Sequence, residues 1–167
     1  MKESKSQEAP FIEYLEGYKK LIAKVARVYC SDAEDRKDLI QDIILQLWKS
    51  FSKYNEAYSI STWTYRIAIN VCISFLRKAT TRNSTHSTYQ QQNELLQIHD
   101  TAIDEKLEQL YHFIDLLKPM DKAIIILYME GCKNIEISRV MGMSVSNIST
   151  RKHRIKEELK SYFETKK

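Results

Sequence analysis

The chain has 167 residues, 43% hydrophobic and 29% charged, a composition that excludes both a disordered chain and a membrane-spanning bundle. It contains only three glycines and two prolines, whereas an all-β protein or a glycine-rich nucleotide binder needs many more turn residues. The formal net charge of +4 permits nucleic-acid binding without requiring it. We therefore expect an all-α protein.

Cysteine and histidine positions indicate neither a metal site nor a catalytic centre. They are too scattered for the CxxC, HxxxH or HExxH spacings that metal and redox sites use. The residues concerned are Cys30, Cys72, Cys132, His86, His99, His112 and His153. The N-terminus, MKESKSQEAP, lacks the apolar core of a signal peptide, and no apolar run is long enough to span a membrane. We expect a cytoplasmic protein with reduced thiols, no metal, no cofactor and no enzymatic activity.

The first two helices are predicted from apolar periodicity and one capping signal. Apolar residues at steps of three and four predict a helix over about 9–29. Ser31 and Glu34 have the spacing of a capping box, which predicts a second helix that continues to about Phe51.

A polar, aromatic loop at 52–60 precedes a third predicted helix at about 61–77. The sequence then becomes polar, and such a segment buries too little apolar surface to offset the entropy lost on ordering. We therefore expect a flexible linker over 80–101. It would join two small helical domains, at 9–79 and 102–165.

Four further helices are predicted in the second domain, and its last two form a helix-turn-helix. A short helix over 134–141 is followed by Gly142 in the turn and by Ser144 as the N-cap of the last helix. Ser138 supplies the small residue where the two helices cross. The last helix carries four Lys or Arg and no acid between Ser144 and Lys156, and a phosphate backbone attracts such a charge excess. The other interpretation is a solvated basic face.

Candidate duplex-reading side chains lie along this last helix, where short polar and basic groups can reach base edges in a major groove. They are Ser146, Asn147, Thr150, Arg151 and Arg154.

The third helix interleaves aromatic and basic residues in the stretch WTYRIAINVCISFLRK, which begins at Trp63. Aromatic faces stack on unpaired bases while cations hold the backbone, so this pattern is typical of a single-strand grip. The candidate residues are Trp63, Arg66, Asn70 and Arg77. An aromatic stripe at helical spacing is more often part of a core, and this interpretation stays open for Trp63.

The second helix carries an acidic flank beside an apolar ridge. No histidine, nucleophile or metal-ligand partner converges on these carboxylates, which argues against an enzyme. A charged helix face is usually solvated, and a protein-docking surface is the next interpretation. The flank consists of Asp32, Glu34, Asp35, Asp38 and Asp42, and the ridge of Ile44, Leu45 and Trp48.

The order of these pieces resembles a bacterial RNA polymerase sigma factor of the compact extracytoplasmic-function (ECF) type. The resemblance implies that Asp38, Gln41, Asp42 and Trp48 dock on core RNA polymerase. It also implies that the loop at 52–60 and the third helix, with Trp63, Arg66, Asn70 and Arg77, capture and read the melted minus-ten promoter element.

The resemblance further implies that the helix-turn-helix reads the minus-thirty-five element of promoter DNA, as duplex, and contacts the polymerase flap. An anti-sigma factor, often membrane-linked, is a common additional partner of such proteins. Ser74, Ser138 and Lys152 depart from the family pattern, in which an acid, an alanine and an apolar residue are usual.

Two other classes remain as alternatives. A conventional helix-turn-helix transcription regulator would bind a palindromic duplex as a dimer without polymerase, but it would leave the acidic flank and the WxYRIAxN helix without a role. A helical adaptor that binds only protein would leave the basic last helix as a solvated face.

Overall fold

The computed structural model describes residues 2–83 and 101–165, with side chains over 8–79 and 105–165. Within these ranges the regular structure is entirely helical, which confirms the all-α prediction. The helices are α1 Lys2–Tyr29, α2 Ala33–Phe51, α3 Ile60–Asn83, α4 Thr101–Leu116, α5 Pro119–Met129, α6 Asn134–Met141 and α7 Val145–Glu164. The chain divides into two compact units, residues 1–88 and 89–167.

The predicted start of α1 and the predicted cap of α2 were wrong. Helix α1 begins at Lys2 rather than near Ala9, because the polar residues before Pro10 are mostly good helix formers. The N-cap of α2 is Asp32, whose carboxylate accepts hydrogen bonds from the N–H groups of Glu34 and Asp35 at 2.9 and 2.8 Å. Asp32 thus takes the place predicted for Ser31.

Helix α3 continues to Asn83, beyond the predicted start of the linker at residue 80. Extending a formed helix adds one hydrogen bond per residue fixed, so even polar residues can prolong it. Thr101, at the other end of the predicted linker, is the first residue of α4. The rest of the predicted linker lies outside the described residues.

Unit 1 is a bundle of α1, α2 and α3 in which each helix packs against the other two. The core is aliphatic in its middle, where α2 contributes Leu39, Ile43 and Leu47, all fully buried. One end is aromatic: the ring of Phe11 lies edge-on to those of Trp48 and Phe51, with centroids 5.0 and 5.2 Å apart. Burying a large apolar side chain contributes roughly 1.5–3 kcal/mol, so these contacts dominate the stability of the unit.

A buried hydrogen-bond chain connects α1 to α3. The Thr64 hydroxyl donates to the Ile60 carbonyl at 2.7 Å, which leaves its oxygen to accept from the Tyr14 hydroxyl at 2.6 Å. Thr64 is fully buried, so its hydroxyl needs these partners. Burial raises the pKa of Tyr14 to about 12, and the phenol therefore remains a donor at neutral pH.

Unit 2 is built around α5, in which every residue from Asp121 to Leu127 is buried. Helices α6 and α7 pack on α5 and on each other. Near the C-terminus of α7, the ring of Tyr162 packs against Phe113 of α4, with centroids 5.5 Å apart. A helix that is buried along such a continuous run is typical of a central element enclosed by its neighbours.

We expect Tyr14→Phe to destabilise unit 1 by about 1 kcal/mol, because it deprives the buried Thr64 oxygen of its donor. Both tryptophans, Trp48 and Trp63, lie in this unit, so urea unfolding of the full chain followed by tryptophan fluorescence isolates the effect. The control is Tyr18→Phe, which removes a hydroxyl from the ring stacked on Tyr14 at 5.0 Å. Equal losses in the two variants would contradict the assigned hydrogen bond.

Candidate nucleic-acid interface

The turn between α6 and α7 has the geometry of a helix-turn-helix. Gly142 adopts a left-handed conformation, with φ of 66°, that a residue with a side chain rarely takes. The Ser138 hydroxyl donates to the Met143 carbonyl at 2.5 Å, and the Met143 N–H donates to the Ser138 carbonyl at 3.2 Å. Ser138 therefore closes the turn with its hydroxyl as well as allowing close helix crossing.

The N-terminus of α7 presents the predicted short polar readers to solvent. Ser144 caps the helix by accepting from the Asn147 N–H at 3.2 Å. Ser146, Asn147 and Thr150 are exposed, while Ile148 is fully buried and fixes the rotation of the helix. The Thr150 hydroxyl donates to the Ser146 carbonyl at 3.0 Å, so it remains an acceptor toward a ligand.

The two predicted arginine readers are both bound to a buried carboxylate, which the sequence analysis missed. Arg151 donates through Nη1 to Asp121 Oδ1 at 2.9 Å, and Arg154 donates through Nη2 to Asp121 Oδ2 at 2.6 Å. The Asp121 side chain is 3% exposed, whereas those of Arg151 and Arg154 are 33% and 51% exposed. The arginines therefore hold α7 on α5 while keeping part of each guanidinium at the surface.

Two of the three lysines of α7 also have internal partners. Lys152 donates to Asn134 Oδ1 at 2.6 Å and lies 4.8 Å from the centroid of the Tyr128 ring. Lys156 lies 4.3 Å from the same centroid, and its hydrogen bond to the Tyr128 side chain, together with its charge, lowers the pKa of Tyr128. The basic cluster predicted to attract phosphate is thus also used to assemble the unit.

Helix α3 exposes three of its four predicted readers along one side. Arg66, Asn70 and Arg77 are exposed, whereas Thr64 and Ala68 face the core. Positions at steps of four and seven share a helix face, so these side chains form one polar, basic stripe.

Trp63, the fourth predicted reader, packs inside unit 1. Its ring lies 5.3 Å from that of Tyr54 and 6.0 Å from that of Tyr14, and the residue is only partly exposed. The ring of Trp63 therefore contributes to the aromatic end of the core, as the alternative interpretation predicts. The physical reason is that its neighbours offer ring faces and edges that exclude water.

The loop between α2 and α3 is ordered by its own polar groups. The Tyr54 hydroxyl donates to the Tyr58 carbonyl at 2.9 Å, and Ser59 Oγ accepts from the Thr62 N–H at 3.3 Å. Tyr58 is 45% exposed, so its ring is available for stacking. The sequence analysis predicted the loop but did not single out Tyr58. An aromatic residue within a polar loop is the sequence signal that points to it.

The acidic flank of α2 is exposed at Asp38, Gln41 and Asp42, as a docking surface requires. Trp48 is only partly exposed, because its ring packs against Phe11. Leu45, one helical turn beyond Gln41, is 49% exposed and is the apolar side chain that projects beside the carboxylates.

Among the described residues, no group of three or more histidine, cysteine or acidic side chains could hold a metal ion. Burial raises the pKa of Cys30 to about 11 and of Cys72 to about 12, so both thiols stay protonated and are poor nucleophiles and ligands. No helix in the described part of the chain is long and apolar enough to cross a membrane.

Comparisons with known proteins match both units to one family. The family model for Sigma-70 region 2 matches residues 15–82, and that for Sigma-70 region 4 matches residues 107–159. The RNA polymerase sigma factor SigV of Bacillus subtilis is 26% identical over 159 residues, covering 92% of this chain and 91% of the relative. The ECF RNA polymerase sigma factor SigX of the same organism is 25% identical over 141 residues, covering 80% and 73%.

A solved structure has the same fold: the sigma factor RpoE of Bartonella quintana, in complex with the anti-sigma factor NepR. Its TM-score is 0.73 at 16% identity, covering 95% of this chain and 99% of that one. The chain belongs to the sigma-70 family of RNA polymerase sigma factors. Within that family it is of the extracytoplasmic-function (ECF) type.

We expect Asp121→Asn to lower the free energy of unfolding of unit 2 by about 1–3 kcal/mol, because it weakens two charge-assisted hydrogen bonds. Hydrogen–deuterium exchange of the α5 and α7 amides in the full chain measures the loss. Asp115→Asn is the control, since Asp115 is 26% exposed and pairs with Lys122 at 3.3 Å. If the two variants exchange alike, Asp121 does not hold α7.

Proposed function

We propose that this chain binds core RNA polymerase and directs promoter-specific transcription initiation through the surfaces described above. It catalyses no bond chemistry itself and acts in the cytoplasm, where polymerase and promoter DNA are found. The observation that carries the proposal is the pairing, in one chain, of an exposed basic stripe on α3 with a helix-turn-helix in α6 and α7.

The three surfaces take separate roles in this proposal. Asp38, Gln41 and Asp42 dock on core polymerase, with Leu45 as the apolar anchor and Trp48 supporting the helix from beneath. A docking site needs such an apolar side chain, which desolvates on binding while charges at the rim guide the encounter.

The stripe of Arg66, Asn70 and Arg77 holds the melted minus-ten strand, and Tyr58 offers a ring for an unstacked base. Trp63 acts by holding the loop through Tyr54. Base stacking on an aromatic ring contributes about 1–3 kcal/mol per base, which helps to offset the cost of melting.

Helix α7 reads the minus-thirty-five duplex with Ser146, Asn147 and Thr150, while Arg151 and Arg154 offer their exposed guanidinium edges to phosphate. Each phosphate that is neutralised releases counterions, so duplex binding should weaken steeply as salt rises. An anti-sigma factor is a further partner in this proposal, supported by the complex in which the structural relative RpoE was solved.

A reconstituted transcription assay tests this function. We expect discrete transcripts when the full chain, core RNA polymerase without its own specificity subunit and fragmented DNA from the source genome are combined. Omission of either protein should abolish them. DNA binding without polymerase, and without such transcripts, would instead favour the conventional regulator, and the absence of DNA contact with polymerase present would favour the helical adaptor.

We expect Asp42→Arg to weaken association with core polymerase at least tenfold, because it reverses a charge within the docking surface. Titration of labelled core polymerase with the full chain measures the affinity. Glu105→Arg is the matched control: it makes the same change in net charge at an exposed residue of α4 in unit 2. Wild-type affinity of the Asp42 variant would remove α2 from the docking role.

A further inference from the structure

A line of hydrogen bonds runs from the buried Asp121 to the exposed Asn147 at the N-terminus of α7. Asp121 Oδ1 accepts from Arg151 Nη1 at 2.9 Å, and Arg151 Nε donates to Asn147 Oδ1 at 3.0 Å. The second carboxylate oxygen of Asp121 accepts from Arg154 at 2.6 Å. Both Asp121 oxygens are therefore committed, and the guanidinium plane of Arg151 is held at two of its N–H groups.

This line determines which way the Asn147 amide faces. An arginine Nε–H can only donate, so the Asn147 atom that it contacts must be the carbonyl oxygen rather than the amide nitrogen. The Nδ2 group then lies on the other arm of the amide. Within the described part of the chain it has no acceptor, and the Asn147 side chain is exposed.

Asn147 also occupies the part of a recognition helix that meets base edges. Its own N–H is capped by Ser144, which places it in the first turn of α7. In a helix-turn-helix, the N-terminal residues of the second helix contact the bases in the major groove.

We propose that Asn147 is a specificity-determining residue that reads one base as a hydrogen-bond donor, and that Asp121 and Arg151 are the positioning residues that set its amide. This inference rests on the proposed duplex reading by α7. Acceptors in the major groove are N7 and O6 of guanine, N7 of adenine and O4 of thymine. Adenine also presents its N6 amine beside N7, whereas cytosine presents its N4 amine donor and no acceptor. Asn147 therefore selects against cytosine, because two facing donors leave both unpaired.

Asn147→Asp tests the reading because it keeps the size of the side chain and its bond to Arg151 but presents an acceptor instead of a donor. The assay selects upstream promoter elements from a randomised duplex library with the full chain and core polymerase. We expect one position to change from an acceptor-bearing base to cytosine, by about tenfold in relative enrichment. The preferences at the other positions should remain.

Ser149→Asp is the matched control for the added negative charge, since Ser149 is an exposed neighbour on the same helix and lies outside the hydrogen-bond line. It should weaken binding to phosphate without creating a cytosine preference at the Asn147 position. If Asn147→Asp also weakens binding uniformly and keeps the wild-type preferences, Asn147 reads no base and the inference is wrong.

Arg151→Lys tests the positioning role while keeping the positive charge. A lysine cannot hold two acceptors in one fixed plane, so the Asn147 amide becomes free to rotate. We expect the preference at the Asn147 position to relax while the salt dependence of binding stays the same. Full retention of that preference would overturn the positioning role.

The library also separates this inference from the function on which it rests. If the wild-type chain selects no sequence with core polymerase, both duplex reading by α7 and the inference fail. If the wild-type chain selects a clear element and the Asn147 and Arg151 variants select the same one, the function stands and the inference alone fails.

Discussion

The arrangement of unit 2 depends on one buried carboxylate. Asp121 lies in the first turn of α5, the helix enclosed by its neighbours, and it is almost wholly removed from water. A buried charge is tolerated only when it is paired and hydrogen-bonded. Arg151 and Arg154 of α7 supply both the ion pairs and the hydrogen bonds that Asp121 needs. The rotation of α7 on α5 is therefore set by a polar contact as well as by the fully buried Ile148 and Ile155.

This contact changes how the basic surface of α7 functions. A helix with four Lys or Arg in a short stretch would bind phosphate through mobile charges if all of them were free. Here Arg151, Arg154, Lys152 and Lys156 each have a partner within the unit. Ordering these long side chains before DNA arrives reduces the entropy lost on binding. The short polar side chains at the start of the helix, where Ser144 and Arg151 hold Asn147, remain exposed for the base contacts that we propose.

Unit 1 separates its structural and functional residues by helix face in the same way. On α3 the buried Thr64 joins α1 through Tyr14, while Arg66, Asn70 and Arg77 lie on the exposed side. The aromatic rings divide likewise: Trp63 packs under the loop and Tyr58 projects from it. The surfaces that we propose for polymerase docking and strand capture therefore rest on a common aromatic and aliphatic core.

The amino-acid sequence was enough to predict the helical fold, the order of the helices, the helix-turn-helix and the polar stripes on α2 and α3. These follow from local rules: apolar periodicity, the glycine at a left-handed turn and the serine cap of α7. Helix packing was needed to bring Arg151 and Arg154 to their partner, since Asp121 is 30 and 33 residues away along the chain. It also decided that Trp48 and Trp63 pack inward while Leu45 and Tyr58 remain exposed. Periodicity identifies a helix face, but which residues on it are covered depends on the helices that pack against it.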